Sequence, residues 1–356
     1  MKEMTSLERV QAVLQGKTPD RVPVVPQTFL FAAKQNGHDI GELILNPKRM
    51  AECHRNCQEK FGYDGCVIDF DDATLAEACG AKVLQDAGGA YFVDKRNPAI
   101  NDLRDIDKLK LPDPASSGRL PIWMETAERL MEMVGDHVFV MGRADQGPLD
   151  LLALLRGEEE LLMDLADEDV EDEVIFHALE WATEAHIIFA KAMRDITHAT
   201  SMGDAYAGPS VMSPTMYRNY VLPFEKKVVA AVQTAEKPYS VHICGDTNLI
   251  LADMATTGAK IIEIDAKADI GKCRQLLDAA AERFGLERAV VMGNMDTTDL
   301  VIGSPEKNMA NAKAIIEATK GQGLFLSSGC AMGANTNPDN VRAMVEAAKL
   351  YGSFDA

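Results

Sequence analysis

Tyr239-Ser240-Val241-His242-Ile243-Cys244-Gly245, followed by Lys260-Ile261-Ile262-Glu263-Ile264-Asp265, is the stretch that decides the fold. Each half is a short β-branched run ending in polar residues, and the gap between them is long enough for a crossover. Six further runs of the same kind flank the pair: Arg21-Val22-Pro23-Val24-Val25, Gly65 to Phe70, His137 to Met141, His198 to Met202, Ala289 to Met292 and Gly323 to Ser327. Eight strands is the number that closes a parallel barrel.

Amphipathic helical patterns follow several of these runs: Asp172 to Met193, Tyr217 to Gln233, Asp299 to Lys320 and Asn340 to Tyr351. Strand and helix therefore alternate as βα units. The expected fold is α/β, a single (β/α)8 TIM barrel over residues 1–356. Residues 1–20 form an N-terminal helical extension, opened by a Thr5/Glu8 capping box. The stretch from Gly88 to Pro121, with a strand at Ala90–Asp94, reads as an insertion after the second strand. No repeat and no Gly/Ser/Pro-rich linker divides the chain.

The balance of 36 basic against 55 acidic residues, a net charge of −19, argues against nucleic acid as a partner. No apolar run approaches the ~20 residues of a membrane span, and the N-terminus lacks a signal peptide's apolar centre. The expected location is the cytoplasm, where the seven cysteines, an odd number, are reduced thiols.

In a parallel barrel the reactive groups sit where strands end and βα loops begin. His242 and Cys244 end the fifth run, and their i, i+2 spacing sends both side chains to one side of an extended segment. Cys330 lies in Ser327-Ser328-Gly329-Cys330-Ala331-Met332-Gly333, just past the eighth run. An imidazole and two thiolates suit Zn²⁺, and ligands scattered along the chain suit an enzyme better than a zinc knuckle. Each cysteine alone reads as a small buried hydrophobe. Convergence of all three at strand ends favours metal binding. Asp265 is the preferred fourth ligand and Glu263 the alternative; a carboxylate there would bring the site charge to −1 and leave the sulfurs electron-rich.

Other polar residues fall at strand ends. Asp204, Tyr206 and Glu263 are candidate general acids. Gln27, Asp69, Asp145, Asn294 and Asp296, with Asp71 and Gln146 beside them, are candidate substrate contacts. Capping the next helix is the commoner role for an Asp or Asn so placed. Cys53-His54-Arg55-Asn56-Cys57 lies in a helical pattern, Pro47 to Phe61, where Met50, Cys53, Cys57 and Phe61 form an apolar stripe, so core packing explains it.

With these motifs in place, the chain resembles the uroporphyrinogen decarboxylase superfamily, and within it the branch of zinc-dependent corrinoid methyltransferases. Carrying segments are Leu14-Gln15-Gly16 with Asp20-Arg21-Val22-Pro23, Phe61-Gly62-Tyr63-Asp64, Glu77 to Ala81, His242-Ile243-Cys244-Gly245-Asp246, Gly293 to Asp296, Ser328-Gly329-Cys330 and Asn340 to Ala348. The resemblance implies a zinc site at His242, Cys244 and Cys330, cobalamin carried by a partner corrinoid protein, and a small methylated donor such as a phenyl methyl ether, as in an O-demethylase, or a thiol acceptor. Cobalamin-independent methionine synthases, similar in their zinc barrel, place a carboxylate ligand on the next strand, which supports Asp265. Two alternatives stand: a decarboxylase-like tetrapyrrole enzyme, although Pro26 to Phe31 lacks the arginines that grip porphyrin carboxylates, and a non-catalytic corrinoid-binding protein.

Overall fold

The computed structural model describes residues 3–69 and 71–354. Phe70, at the end of the second predicted run, lies outside them, as do residues 1–2 of the expected extension and 355–356 at the end of the expected domain. Among the described residues nine strands form: β1 (Gly65–Ile68), β2 (Val83–Gln85), β3 (Tyr91–Val93), β4 (Phe139–Gln146), β5 (Ala199–Gly203), β6 (Tyr239–Ile243), β7 (Ile261–Ile264), β8 (Val290–Met295) and β9 (Leu324–Ser328). Seven make one parallel sheet in the order β1-β4-β5-β6-β7-β8-β9, curled into a half-barrel with helices between its strands. β2 and β3 pair separately as an antiparallel hairpin.

The first expected strand is not a regular one, and Pro23 supplies the reason: it has no N–H for a ladder. Its neighbours still bond to both sheet edges. Val25 N–H donates to Leu326 O at 2.9 Å and Leu326 N–H to Pro23 O at 2.9 Å, while Asp64 N–H donates to Val24 O at 2.6 Å. The segment is also pinned by charge. Buried Asp64 accepts from Arg9 Nη1 at 2.6 Å, Arg21 Nη1 at 2.7 Å and Val24 N–H at 2.8 Å.

Alternation along the strands sorts side chains between two cores. Val67, Phe139, Met141, Ala199, Ile261, Val290, Met292 and Phe325 point inward and make a small central cluster, reached from one end by Val10 and Val13 of the helix Ser6–Leu14. That helix carries the expected capping box, with Thr5 Oγ1 accepting from Glu8 N–H and Glu8 Oε2 from Thr5 N–H. The opposite parity, including Ile68, Val140, Ile262, Ile264 and Val291, packs against the outer helices. Continuing the inward parity beyond the apolar cluster gives Arg143 on β4, His242 on β6 and Glu263 on β7. The alternation that builds the core thus puts these polar groups at its C-terminal end.

Several expected boundaries shift. β4 runs on to Gln146 because Gly142 is a packing glycine and no terminator: a Cβ there would lie 2.4 Å from Met193 Cγ on the long helix Asp172–Ile196. The helix expected over Asp299–Lys320 is two, Thr297–Ile302 and Pro305–Thr319, divided at Gly303-Ser304-Pro305, where Ser304 caps the second by accepting from Lys307 N–H at 3.2 Å. The pattern read from Tyr217 to Gln233 begins instead as a π-turn, Tyr217–Val221, before the helix Leu222–Val232. Pro223 lacks the N–H that a regular ladder would use there. The helix Pro47–Phe61 keeps its expected bounds and buries Met50, Cys53, Cys57 and Phe61. Between residues 88 and 121 lie β3 and a 3-10 segment, Leu103–Lys108. Among the described residues no helix is long and apolar enough to cross a membrane.

Candidate functional site

β6 delivers His242 at its inward parity and Cys244 just past its end, and Gly245, at φ 81°, turns the chain behind them. The loop after β9 delivers Cys330. Sequence distance disappears here: Cys244 Sγ lies 3.6 Å from Cys330 Sγ and 3.1 Å from His242 Nε2. All three ligand atoms fall within 4.8 Å of one another, and this is the one such group of three or more among the described residues. Tetrahedral zinc with bonds of about 2.3 Å to sulfur sets its sulfurs about 3.8 Å apart. The observed spacing fits that donor set. His242 is buried, whereas Cys244 and Cys330 keep a partly open face.

The two thiols share one negative charge. Cys330 is pulled well below the ordinary thiol range, first by the hydrogen bond from Cys244 and then by His242, against the opposing effect of burial. Cys244 is pushed far up by that same hydrogen bond and by burial, because a second thiolate would sit beside the first. A bound cation is what lets both ionise. All seven cysteines are free thiols.

Glu263 lies behind the histidine. Its Oε2 is 3.9 Å from His242 Nδ1, and its Oε1 accepts from Ser240 Oγ at 2.6 Å. The β6–β7 register sets His242 opposite Glu263, so the sheet itself fixes this pairing. With Nε2 toward the sulfurs and Nδ1 toward a carboxylate, the ring is placed as a metal-bound imidazole usually is. Glu263 is therefore placed behind His242 and outside the group of ligand atoms.

Asp265 has a different place from the one expected. Its Oδ2 accepts from Gly245 N–H at 3.0 Å and its Oδ1 from Lys267 N–H at 3.3 Å, so it stitches the turn behind Cys244 to the loop after β7. It is absent from the ligand-atom group. Gly329 brings the Cys330 loop against that same segment: a Cβ on Gly329 would lie 2.6 Å from Ala266 N.

Arg143 is the central residue that the sequence reading missed. It is buried, with Nη2 3.1 Å from Glu263 Oε2 and 3.0 Å from Gln27 Oε1, and Nε 2.8 Å from Asp69 Oδ2. Burial alone would lower its pKa, but Glu263 and Asp69 more than reverse this and hold the guanidinium charged. The signal was available as a charged residue at inward parity in the run from Phe139, had that run not been ended at Met141.

Above these groups opens a cavity of about 470 Å³. His242, Cys244 and Cys330 line it, as do Gln27, Asp69, Asp71, Gln146 and Tyr206 among the expected contacts. Phe29, Leu30, Tyr91 and Phe92 give it an apolar wall, and the hairpin β2–β3 carries two of these four. Asp71 is ion-paired with Arg119. Tyr206 has its phenol pKa raised by burial and by Glu158, so it keeps its proton.

Besides Glu263 and Asp265, four expected site residues are absent from the cavity lining. Asp204 is buried, with Oδ1 accepting from Asp150 N–H at 3.0 Å, and burial raises its pKa. Asp145 accepts from Leu75 N–H at 2.6 Å in the first turn of the helix Thr74–Ala78. Asn294 donates to Asp265 O at 3.1 Å and Ala268 O at 2.8 Å, holding the loop after β7. Asp296 caps the helix Thr297–Ile302 by accepting from Thr298 N–H at 2.7 Å. Capping and loop bonding account for Asn294 and Asp296, as strand-end Asn and Asp commonly do, whereas Asp204 Oδ2 and Asp145 Oδ1 are buried with no hydrogen-bond partner.

Residues 5–351 match the family model described as uroporphyrinogen decarboxylase (URO-D). Over 363 residues, 99% of each chain, the sequence is 28% identical to a methylcobamide:CoM methyltransferase of Methanosarcina mazei. A methylcobamide:CoM methyltransferase of Methanosarcina barkeri is 28% identical over 363 residues, again 99% of each. A solved methyltransferase from Methanosarcina mazei superposes with a TM-score of 0.85 at 26% identity, covering 98% of this chain and 99% of that one. Sequence and fold agree along the whole length, and the chain belongs to the uroporphyrinogen decarboxylase family.

Proposed function

We propose that this chain is a zinc-dependent, corrinoid-dependent methyltransferase of the cytoplasm, moving a methyl group between a small molecule and the cobalamin of a partner corrinoid protein. The fold reading beneath it is a single (β/α)8 barrel in which residues 21–25 take the first strand position, residues 1–20 are an extension and residues 88–121 an insertion. The observation that carries the proposal is the His242, Cys244 and Cys330 group at the bottom of a 470 Å³ cavity. The full-length likeness to methylcobamide:CoM methyltransferases supports the same reaction class.

Zinc held by these three residues, with a fourth position left to the small molecule, would polarise its heteroatom, either favouring the thiolate of an acceptor or easing departure of a demethylated donor. The chain's own residues do the rest. Glu263, held by Ser240, sets a carboxylate 3.9 Å behind His242 Nδ1, and Asp265 holds the Cys244 turn. Of the candidate general acids, Tyr206 is the one that lines the cavity; its phenol keeps its proton, hydrogen-bonded to Glu158, and would have to leave that partner to reach a heteroatom that gains charge.

The decarboxylase-like alternative meets an electrostatic objection. The cavity lining holds five carboxylates, Asp69, Asp71, Asp72, Asp150 and Glu158, against two cations, Arg143 and Lys95. A polycarboxylate tetrapyrrole would need the opposite balance.

The test is spectroscopic. The zinc-loaded chain is mixed with methylcob(III)alamin and thiols, and separately with cob(I)alamin and methyl ethers, while the cobalamin absorbance is followed. Methyl transfer in either direction that disappears in Cys330→Ala supports the proposal. Ligand binding without transfer for every donor and acceptor would leave the non-catalytic corrinoid-binding reading instead.

A further inference from the structure

We propose that the cavity above His242, Cys244 and Cys330 selects an uncharged small molecule with an apolar, ring-sized body, and that Asp72 is the specificity residue that turns anions away. This rests on the methyltransferase reading above and narrows its substrate class.

The charge balance of the lining is decisive when each charge is followed to its partner. Arg143 is enclosed by Asp69 and Glu263. Lys95 Nζ lies 2.6 Å from Glu158 Oε2. Both cations of the lining are thus already matched, and neither is left to meet an incoming sulfonate or carboxylate. Two acids remain. Asp150 is buried, and its oxygens accept from Ala205 N–H at 2.6 Å and Tyr206 N–H at 2.9 Å. Asp72 lines the cavity with Oδ1 fixed by Gln146 Nε2 at 2.6 Å; burial and then Asp71 raise its pKa, and Arg143 and the Gln146 hydrogen bond oppose that rise.

A charged group on the ligand body away from the zinc would lose water, find both lining cations already matched and face Asp72, while the charge of a zinc ion at the site would be offset by the two thiolates that hold it. A like charge within about 8 Å, at an effective dielectric between that of a protein surface and that of water, weakens binding roughly tenfold. A neutral apolar body meets no such cost. Phe29, Tyr91 and Phe92 offer it ring faces and edges, and the volume accommodates a substituted ring. The thiol acceptor named for the methanogen relatives is therefore not the partner this lining favours.

The experiment is calorimetric titration of the zinc-loaded full-length protein with ligand pairs that differ in charge: thiophenol against 4-mercaptobenzoate, and 2-mercaptoethanol against 2-mercaptoethanesulfonate. In the wild type the neutral member of each pair should bind at least about tenfold more tightly. Asp72→Asn should raise the affinity of the anionic members severalfold and leave the neutral ones unchanged. Glu158→Gln, which frees Lys95, should act in the same direction and serves if the first variant does not fold. Anionic members binding as tightly as neutral ones in the wild type would overturn the proposal, as would a selectivity ratio unmoved by either variant. Because binding is the readout, failure of methyl transfer with every compound would defeat the proposed reaction separately, without deciding the charge selectivity.

Discussion

Cys244 Sγ and Cys330 Sγ lie 3.6 Å apart, although 86 residues separate them in the chain. One leaves the end of β6 and the other the end of β9, with β7 and β8 between them in the sheet. Curvature of the sheet, and the turns at Gly245 and Gly329, bring them together beside His242. Removing one sulfur should therefore cost the metal and spare the fold. Cys330→Ala is expected to retain wild-type far-UV circular dichroism and melting behaviour in metal-free buffer, while bound zinc falls at least about tenfold. Metal analysis after dialysis, alongside a thermal melt, checks both halves.

Glu263 couples the histidine to the arginine, so Glu263→Gln should have two effects. The imidazole loses a charged partner behind Nδ1, which should weaken zinc binding by about 10–100-fold. Arg143 keeps Asp69 and Gln27, so its charge stays compensated, and loss of the charge-assisted bond to one of its two buried carboxylates should cost about 1.5–3 kcal/mol of stability. Zinc titration with a competing chelator reads the first effect and denaturant unfolding the second. A variant that binds zinc as tightly as wild type would remove Glu263 from the site.

Gly329→Ala tests whether the Cys330 loop is positioned by backbone contact. An added Cβ meets the backbone of Ala266 at 2.6 Å, so the loop or its neighbour must shift. Cys330 should then move relative to Cys244. The expected result is weaker zinc binding with the secondary structure intact, measured by the same chelator competition. Unchanged affinity would mean that the loop after β7 yields freely.

His54 supplies a prediction about acid stability that is independent of the metal. It is fully buried in the helix Pro47–Phe61, neither ring nitrogen has a hydrogen-bond partner, and burial lowers its pKa to about 4. The folded state thus binds the proton less readily than the unfolded chain, so this residue's contribution to stability is present above the unfolded value near 6.5 and is lost as pH falls toward 4. Buried Asp150, Asp204 and Glu225 have raised pKa values and act in the opposite sense. A difference measurement isolates the histidine. His54→Leu should gain about 2 kcal/mol relative to wild type between pH 7.5 and pH 5, read from denaturant unfolding at the two pH values. No change in the difference would mean that the ring finds a proton acceptor or water in the folded state.

The sequence made legible what depends on period and punctuation. Alternating β-branched runs marked the seven parallel strands, and Gly62, at φ 71°, closed the helix from Pro47 where expected. His242, Cys244 and Cys330 were visible because strand ends converge in parallel sheets. What stayed hidden depends on three-dimensional partners. Arg143 lay beyond the run ended at Met141, and the strand continues past Gly142 because Met193 packs over it. Asp265 lies just past the end of β7, two residues beyond Glu263, and only the turn at Gly245 and the pairing with β6 give them separate roles. Asp145, Asp204 and Asp296 are all Asp near strand ends, and nothing local distinguishes a buried acceptor or helix cap from a residue that faces a cavity.

X-ray absorption at the zinc K-edge of the purified wild-type protein tests the central claim most directly. The account predicts about one zinc per chain, two sulfur neighbours near 2.3 Å and one histidine nitrogen near 2.0–2.1 Å, with a fourth light-atom ligand replaced by sulfur when a thiol is added. A protein that takes up no zinc, or zinc surrounded only by oxygen and nitrogen, would contradict it.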